Sequence, residues 1–587
     1  MQRSALCTAL LCTLALSACS TVGDQQAETR SNAAGEVATA PAANEAVKSL
    51  DRIQVTGSLI SAQPAPMEAY DYAPAAPPST GYSQPANTEK YAAHADNPVH
   101  RASEEPVSTF SIDVDTGSYA NVRRMLREGV RPPADAVRAE EMINYFRYGH
   151  PAPDSLATPF RVSTELAPAP WNARHQLLMV GIKGYDVPKA SIPPANLVFL
   201  IDTSGSMDEP DKLPLLKQAF AQLVRQLRPQ DRVSIVVYAG SAGLVLAPTA
   251  GDKQGEILAA LDRLEAGGST NGGDGIRLAY AMAKQAFVKG GANRVILATD
   301  GDFNVGTVDQ DALETLVGDQ RKSGIALTTL GFGEGNYNDQ MAERLADVGD
   351  GNHAYIDSVD EARKVLVRQM GGTLLTIAKD VKIQVEFNPA QVAEYRLIGN
   401  ENRALRREDF ANDKVDAGDI GAGHEVTALY EITPVGSGAE LLPPLRYGGS
   451  TATAAKARSG EIADLRLRYK RPGEDASRLI DTPILASSLH AQPSPTLRFA
   501  AAVAAYADAL RGGTHLGGWN WNDIARAAHA PVGADPDGER AEFAALVDAA
   551  RALTDGDAAT VGIAGNAEVQ GMASSPRPPP GDDTGCG

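Results

Sequence analysis

Three short stretches of this 587-residue chain carry oxygen donors at spacings that could do chemistry. In Asp202-Thr203-Ser204-Gly205-Ser206 alternate residues can point the same way, offering one carboxylate and two hydroxyls, and Gly205 permits a tight turn. Thr270 adds a hydroxyl from the glycine-rich run Gly267 to Gly273, and Asp300 adds a second carboxylate just before Gly301. A set made only of oxygens suits a hard divalent cation such as Mg²⁺. Asn271 and Asp302 stand close enough in sequence to tune such a site, and each is equally an ordinary loop-turn residue.

The elements around these residues must bring them together. Asn196 to Ile201 is a near-continuous apolar run, as expected of a parallel strand buried on both faces. Leu213, Leu216, Phe220, Leu223, Val224 and Leu227 form one helical stripe. Strand patterns then recur at 233–238, 294–299, 325–332 and 353–356, with helical patterns at 253–264, 275–288, 310–322 and 340–347 between them. This alternation predicts a doubly wound α/β unit over 195–370 with a mostly parallel sheet. The three donor-bearing loops would all leave the carboxyl edge of that sheet, where open α/β folds bind ligands.

These motifs resemble the von Willebrand factor type A (VWA) domain and its metal-ion-dependent adhesion site (MIDAS). The family's Asp-x-Ser-x-Ser, Thr and Asp-Gly elements fall on Asp202, Ser204, Ser206, Thr270 and Asp300. The resemblance implies a Rossmann-like fold and a bound Mg²⁺ (or Mn²⁺). It also implies that the serines bind the ion directly, the threonine directly or through water, and the aspartates largely through water. An open coordination position would then receive a carboxylate from a protein partner. Ser108 to Pro153 is similar to the short domain that precedes the VWA domain in a bacterial lipoprotein family, and the segments after 370 are similar to that family's C-terminal region.

The chain start reads as an export signal over residues 1–18, with Arg3 followed by an apolar run from Ala5 to Leu16. Leu16-Ser17-Ala18-Cys19 resembles the bacterial lipobox, which implies acylation at Cys19 and a lipid-anchored envelope protein, and Ser20 after it favours the outer membrane over the inner. Residues 19–105 are rich in Ala, Pro, Ser, Gln and Asn and read as a disordered tether spanning about 50 Å. Within it, Ile53 to Ile60 is the single apolar island, read as a sticky patch. A small αβ module is expected over 106–155 and β-sandwich strands over 156–192 and 375–480. Because these strands flank the α/β unit, they are expected to pair into one sandwich with that unit inserted between them. A helical C-terminal region is expected over 490–556, followed by a disordered tail at 557–587.

Charge and cysteine use narrow the function classes. Asp and Glu number 73 against 54 Lys and Arg, a formal charge of -19 that repels phosphate backbones and argues against nucleic acid as a partner. Of four cysteines, Cys7 and Cys12 lie in the signal, Cys19 is the lipidation candidate and Cys586 stands alone, which leaves no internal disulfide or cysteine metal site.

Competing motifs fail on context. Asp115-Thr116-Gly117-Ser118 matches an aspartic-protease loop without a second copy, and Asp113-Val114-Asp115-Thr116 matches a phosphatase loop without its apolar continuation. A helix-entry turn capped by Asp115 or Ser118 is the expectation there. Asp535-Pro536-Asp537-Gly538 lacks the remaining ligands of a calcium loop and is expected to start a helix. The histidines, His175, His353 and His424 among them, show no zinc-hydrolase pairing. The expected function is therefore non-enzymatic: metal-dependent protein binding from a lipid anchor, which is the chain's one contact with the membrane. The alternative is an envelope scaffold whose ion only stabilises loops.

Overall fold

The structure is a computed structural model that describes residues 88–112, 114–269, 272–301, 310–444, 460–530 and 533–571, with side chains as far as 555. The signal, Cys19, the Ile53–Ile60 island, Asp113, Thr270, Asn271, Asp302 and Cys586 lie outside the described residues. Among the described residues no helix is long and apolar enough to cross a membrane.

The amino-terminal elements are β1 (His100–Arg101), β2 (Val107–Ser111), α1 (Gly117–Arg127) and α2 (Ala139–Asn144), followed by the long hairpin β3 (Phe160–Ala169) and β4 (Asn172–Gly184). The α/β unit then runs through β5 (Ala195–Asp202), α3 (Leu213–Val224), β6 (Arg232–Tyr238), β7 (Ala242–Ala250), α4 (Gln254–Asp262), α5 (Gly272–Gln285), β8 (Ala292–Thr299), α6 (Gln310–Lys322), β9 (Ala326–Phe332), α7 (Asp339–Val348) and β10 (His353–Ile356). Its last helix is three pieces, α8 (Val359–Arg363), a π-helical turn (Lys364–Arg368) and α9 (Met370–Leu374). After it come β11 (Thr376–Phe387), β12 (Val392–Ile398), β13 (Ile420–Gly421), β14 (Glu425–Pro434), β15 (Glu461–Lys470) and β16 (Arg478–Leu485), then α10 (Pro495–Arg511), α11 (Trp521–Ala528) and α12 (Glu539–Gly571).

The α/β unit holds a six-stranded sheet of order β10-β9-β8-β5-β6-β7, parallel except for the edge strand β7. All eight residues of β5 are buried, since helices cover both faces of the sheet. β7 escapes the sequence reading because its pattern, Ala-Gly-Leu-Val-Leu-Ala-Pro-Thr-Ala, is that of a half-exposed edge.

Strands from before and after this unit share sheets. β4 pairs antiparallel with β14 from Lys183↔Glu425 to Gln176↔Ile432, within the order β1-β12-β14-β4-β3. β11 pairs with β2, β13 and β15 in a second sheet edged by β16. Alternation along β4 explains its apolar run: Leu178, Val180 and Ile182 face the second sheet, while Leu177 and Met179 face the helices. Phe387 and Tyr395 stack at 4.2 Å between the sheets, and Phe146, Phe499, Tyr506 and Phe543 form an edge-to-face cluster on the helical side.

Four expectations need correction. The tether does not extend to 105: Glu89 binds Arg124, Lys90 bridges to Asn338, and the Asn97 amide donates to the carbonyls of Leu397 and Gly399. These contacts are polar and distant in sequence, so they leave no local periodicity to read. The small αβ module is not separate, because its strand β2 belongs to the second sheet. Asp115 does not cap α1; its carboxylate accepts the His353 backbone N–H at 2.8 Å, and Glu141 accepts the Ser118 N–H at 2.8 Å. The helical end also outruns 556, because the Ala-rich α12 continues to Gly571. Asp535 does cap that helix, accepting from the Arg540 and Ala541 N–H groups.

Buried ion pairs tie the last helix of the α/β unit to both flanks. Arg123 of α1 contacts Asp357 and lies 2.7 Å from Glu361 and 3.0 Å from Glu542 of α12. Lys364 donates to the Tyr145 carbonyl at 2.6 Å and stands 3.4 Å from Glu539. Removing one partner of such a group leaves buried charge uncompensated. Arg123→Met should therefore lower unfolding free energy by about 3–5 kcal/mol in denaturant titration, whereas Arg526→Ala, whose partner Asp523 lies on an exposed helix turn, should cost well under 1 kcal/mol. Equal effects would contradict this reading of the seam.

The same interior predicts a pH dependence. Burial, with Glu401 and Glu141 nearby, pushes the Glu140 carboxyl up to about 8. A carboxyl that titrates higher folded than unfolded gains protons on folding, so its contribution to stability falls as pH rises from the ordinary carboxylate range through about 8. Glu140→Gln should raise the melting temperature more at pH 9 than at pH 5; a gain confined to pH 5 would contradict the sign.

Candidate metal centre

β5 and β8 are hydrogen-bonded parallel neighbours, with Ile201 opposite Ala298. That register brings Asp202, the last residue of β5, and Asp300, the residue after β8, to one edge of the sheet. Both are fully buried. The turn after Asp202 folds back on it: the Ser204 N–H donates to Asp202 Oδ1 at 2.8 Å, and the Ser204 and Ser206 hydroxyls lie 3.1 Å apart. The Thr299 hydroxyl reaches Asp202 Oδ2 at 3.4 Å and in turn accepts the Gly301 N–H at 3.0 Å.

The glycine-rich loop is tied to the same turn. Gly205 N–H donates to the Gly268 carbonyl at 3.0 Å and Gly267 N–H to the Thr203 carbonyl at 2.8 Å. The structure thus brings together Asp202, Ser204, Ser206 and Asp300, and it holds the described part of the loop that carries Thr270 against them; Thr270 itself is outside the described residues.

Electrostatics set the demand of the site. Burial pushes the Asp202 carboxyl up to about 6 against the hydrogen bonds from Ser204, and the Asp300 charge pushes the same way. Two buried carboxylates beside two hydroxyls ask for a positive charge, and the donor set fits a hard divalent cation. Among the described residues no group of three or more His, Cys, Asp or Glu stands where it could hold a metal ion.

Two residues that sequence reasoning missed act on Asp300. Lys212 Nζ lies 3.2 Å from Asp300 Oδ2, and the Asn336 amide donates to the same oxygen at 3.2 Å. The lysine stem runs over Gly333, which has φ +72° and where a Cβ would sit 2.3 Å from Lys212 Cγ. Gly301, at φ +93°, leaves room for the Asn338 backbone in the same way. Nothing in the local pattern marks Lys212 or Asn336; both arrive through loops whose ends are fixed by tertiary contacts.

Lys212 thus gives Asp300 a cation of the chain's own. Lys212→Met should lower the melting temperature measured in EDTA, at a cost of about 3–5 kcal/mol, and excess Mg²⁺ should recover more stability in the variant than in the wild type, because a competing positive charge is gone. An unchanged melting temperature in EDTA would show that the ammonium does not compensate the carboxylates.

Comparison with known proteins identifies the family of the chain. Residues 196–368 match the family model of the von Willebrand factor type A domain, residues 85–179 a second model described as von Willebrand factor, and residues 372–553 the C-terminal model of the uncharacterized protein YfbK. The chain is 48% identical over 494 residues to the uncharacterized protein YfbK of Escherichia coli, covering 83% of this chain and 85% of that one. It is 31% identical over 327 residues to the uncharacterized Synechocystis protein sll0103, covering 54% of this chain and 71% of that one. A von Willebrand factor type A structure from Catenulispora acidiphila overlaps 62% of this chain and 80% of its own at 18% identity, with a TM-score of 0.35. Domains of this type commonly bind a divalent metal and support protein interaction or adhesion. With its sequence matched from the amino-terminal module through the C-terminal helices, the chain belongs to the YfbK family of proteins built around a von Willebrand factor type A domain.

Proposed function

We propose that this protein is a non-enzymatic envelope lipoprotein that captures a protein partner through a divalent cation at its adhesion site. The observation that carries the proposal is the convergence of Asp202, Ser204, Ser206 and Asp300 at the carboxyl ends of adjacent parallel strands, with the two serine hydroxyls 3.1 Å apart. Ser204, Ser206 and Thr270 would hold Mg²⁺ or Mn²⁺ by their hydroxyls, and Asp202 and Asp300 would neutralise it. When bound, the ion supplies an electrophilic position that a carboxylate of the partner can fill.

The chain's own residues do the positioning. The Ser204 N–H fixes Asp202, while Lys212 and Asn336 fix Asp300, so the donors stand ready before any partner arrives. Hydroxyls rather than further carboxylates leave the ion hungry for an outside anion. Acylation at Cys19 would anchor the chain in the envelope, in the outer rather than the inner membrane, with the folded part on its tether.

Capture from envelope extract tests the reading. Wild type should retain a partner in Mg²⁺ or Mn²⁺, lose it in EDTA and regain it on adding the ion; Asp202→Ala and Thr270→Ala should fail to capture it while keeping a native circular dichroism spectrum. Capture that persists unchanged in EDTA and in Asp202→Ala would exclude the adhesion mechanism. A scaffold whose ion only stabilises loops would instead lose stability on chelation, with no partner whose capture depends on the ion.

A further inference from the structure

The edge of the α/β unit that carries the metal ligands bears charge of one sign. β5, β6, β8 and β9 are parallel, so the loops that follow them open on the same edge of the sheet as Asp202 and Asp300. The glycine-rich loop joins them through the Gly205–Gly268 and Gly267–Thr203 backbone bonds. Among the described residues of these loops, 203–211, 239–241, 264–269 and 333–338, there is no lysine or arginine, in a chain where those two types make up 54 of 587 residues. Lys212, the first base after the Asp-x-Ser-x-Ser turn, is buried and turned inward on Asp300.

The same loops carry Asp208, Glu209, Asp211, Glu265 and Glu334. The first three follow closely on Ser206, Glu265 stands just before Gly267, and Glu334 just before Asn336, whose amide holds Asp300. All are exposed except Asp211, which is half-exposed. Among the described residues no cation pairs with Asp208, Glu209, Asp211 or Glu265. Glu334 lies 3.3 Å from Arg124, but that guanidinium also serves Glu89 and Glu128. The helices behind the loops bring Arg263, Lys217, which donates to the carbonyls of Asp262 and Leu264, and Arg277, which is paired with Asp274. These are fewer charges than the acids in front of them.

The acidic rim is not itself a site; it sets what the metal site admits. A divalent ion on Asp202 and Asp300 is balanced by their two charges, so the field that an approaching partner meets is that of the rim. Exposed charges act over about 8 Å at physiological salt, far enough for the rim to reach groups beside a carboxylate bound at the ion. A carboxylate on a neutral or acidic surface is repelled on approach, whereas one set among lysines or arginines is drawn in.

We infer that the partner feature recognised at this edge is a carboxylate flanked by basic residues, an Asp or Glu with Lys or Arg on either side, and that Asp208, Glu209, Asp211 and Glu265 select it. The inference rests on the metal-dependent capture proposed above and adds to it the chemistry of the partner.

Three labelled peptides, Lys-Lys-Asp-Lys-Lys, Ser-Ser-Asp-Ser-Ser and Lys-Lys-Asn-Lys-Lys, test it by fluorescence anisotropy with the chain in Mg²⁺ and in EDTA. In Mg²⁺ the first should bind at least about tenfold more tightly than the second. That gap should close at high salt, and also in a variant combining Asp208→Asn, Glu209→Gln, Asp211→Asn and Glu265→Gln. The asparagine peptide should gain nothing from Mg²⁺. A serine-flanked peptide that binds in Mg²⁺ as tightly as the lysine-flanked one, or a gap that persists in the variant, would overturn the inference and leave metal-dependent capture standing. Absence of any Mg²⁺-dependent binding by the lysine-flanked peptide would also overturn the inference. Equal binding of the Asp and Asn peptides in Mg²⁺ and EDTA alike would count against metal-dependent capture itself and take the inference with it. The four substituted residues are exposed or half-exposed, so the variant should keep a native circular dichroism spectrum, and the wild-type comparison of peptides decides the question without it.

Discussion

A carboxylate that stays charged away from water needs a compensating positive charge, and this requirement recurs through the molecule. At the carboxyl edge of the six-stranded sheet it sets Asp202 and Asp300 side by side, with Lys212 as the chain's own cation. At the seam between the α/β unit and its flanks it sets Arg123 among Asp357, Glu361 and Glu542, and Arg138 among Glu141, Asp339 and Glu343. Apolar packing fills each core, and a misdocked seam would leave these buried charges unpaired.

The insertion of the α/β unit into the sandwich follows the same logic. The chain leaves the sandwich at β4 in the first sheet and re-enters it at β11 in the second, so both connections are anchored by strand pairing. The sheet edge that carries Asp202 and Asp300 lies at the carboxyl ends of β5 and β8, opposite the amino end of β5 where the chain enters the unit. The last helix, broken by a π-helical turn at Lys364–Arg368, carries pairs to α1 at its start and to α12 further along. The von Willebrand factor type A domain is therefore held by its neighbours through the helix that closes it.

Much of this was legible in the sequence, for physical reasons. β5 announces itself because a strand buried on both faces must be apolar throughout, and the Asp-x-Ser-x-Ser turn because one carboxylate, two hydroxyls and a glycine must stand in fixed order. The pairing of the flanking strands could be anticipated from their position on either side of the unit. Less legible was what depends on distant partners. Asp115 looks like a helix cap until His353 claims it, and Glu89 looks like part of a linker until Arg124 does. Lys212 carries no local mark, since only the fold brings it to Asp300. The edge strands β7 and β16 were missed because half-exposed strands lack the strong alternation on which a strand reading rests.

The central claim is that Asp202, Ser204, Ser206, Thr270 and Asp300 hold a divalent cation. Titration of the chain with Mn²⁺, followed by the electron spin resonance signal of the free ion, tests it most directly. The account predicts one bound Mn²⁺ per chain, displaced by excess Mg²⁺ and absent when Ser204 and Ser206 are both changed to Ala. A free-ion signal that tracks added Mn²⁺ from the first aliquot, or binding that survives loss of both serines, would contradict it.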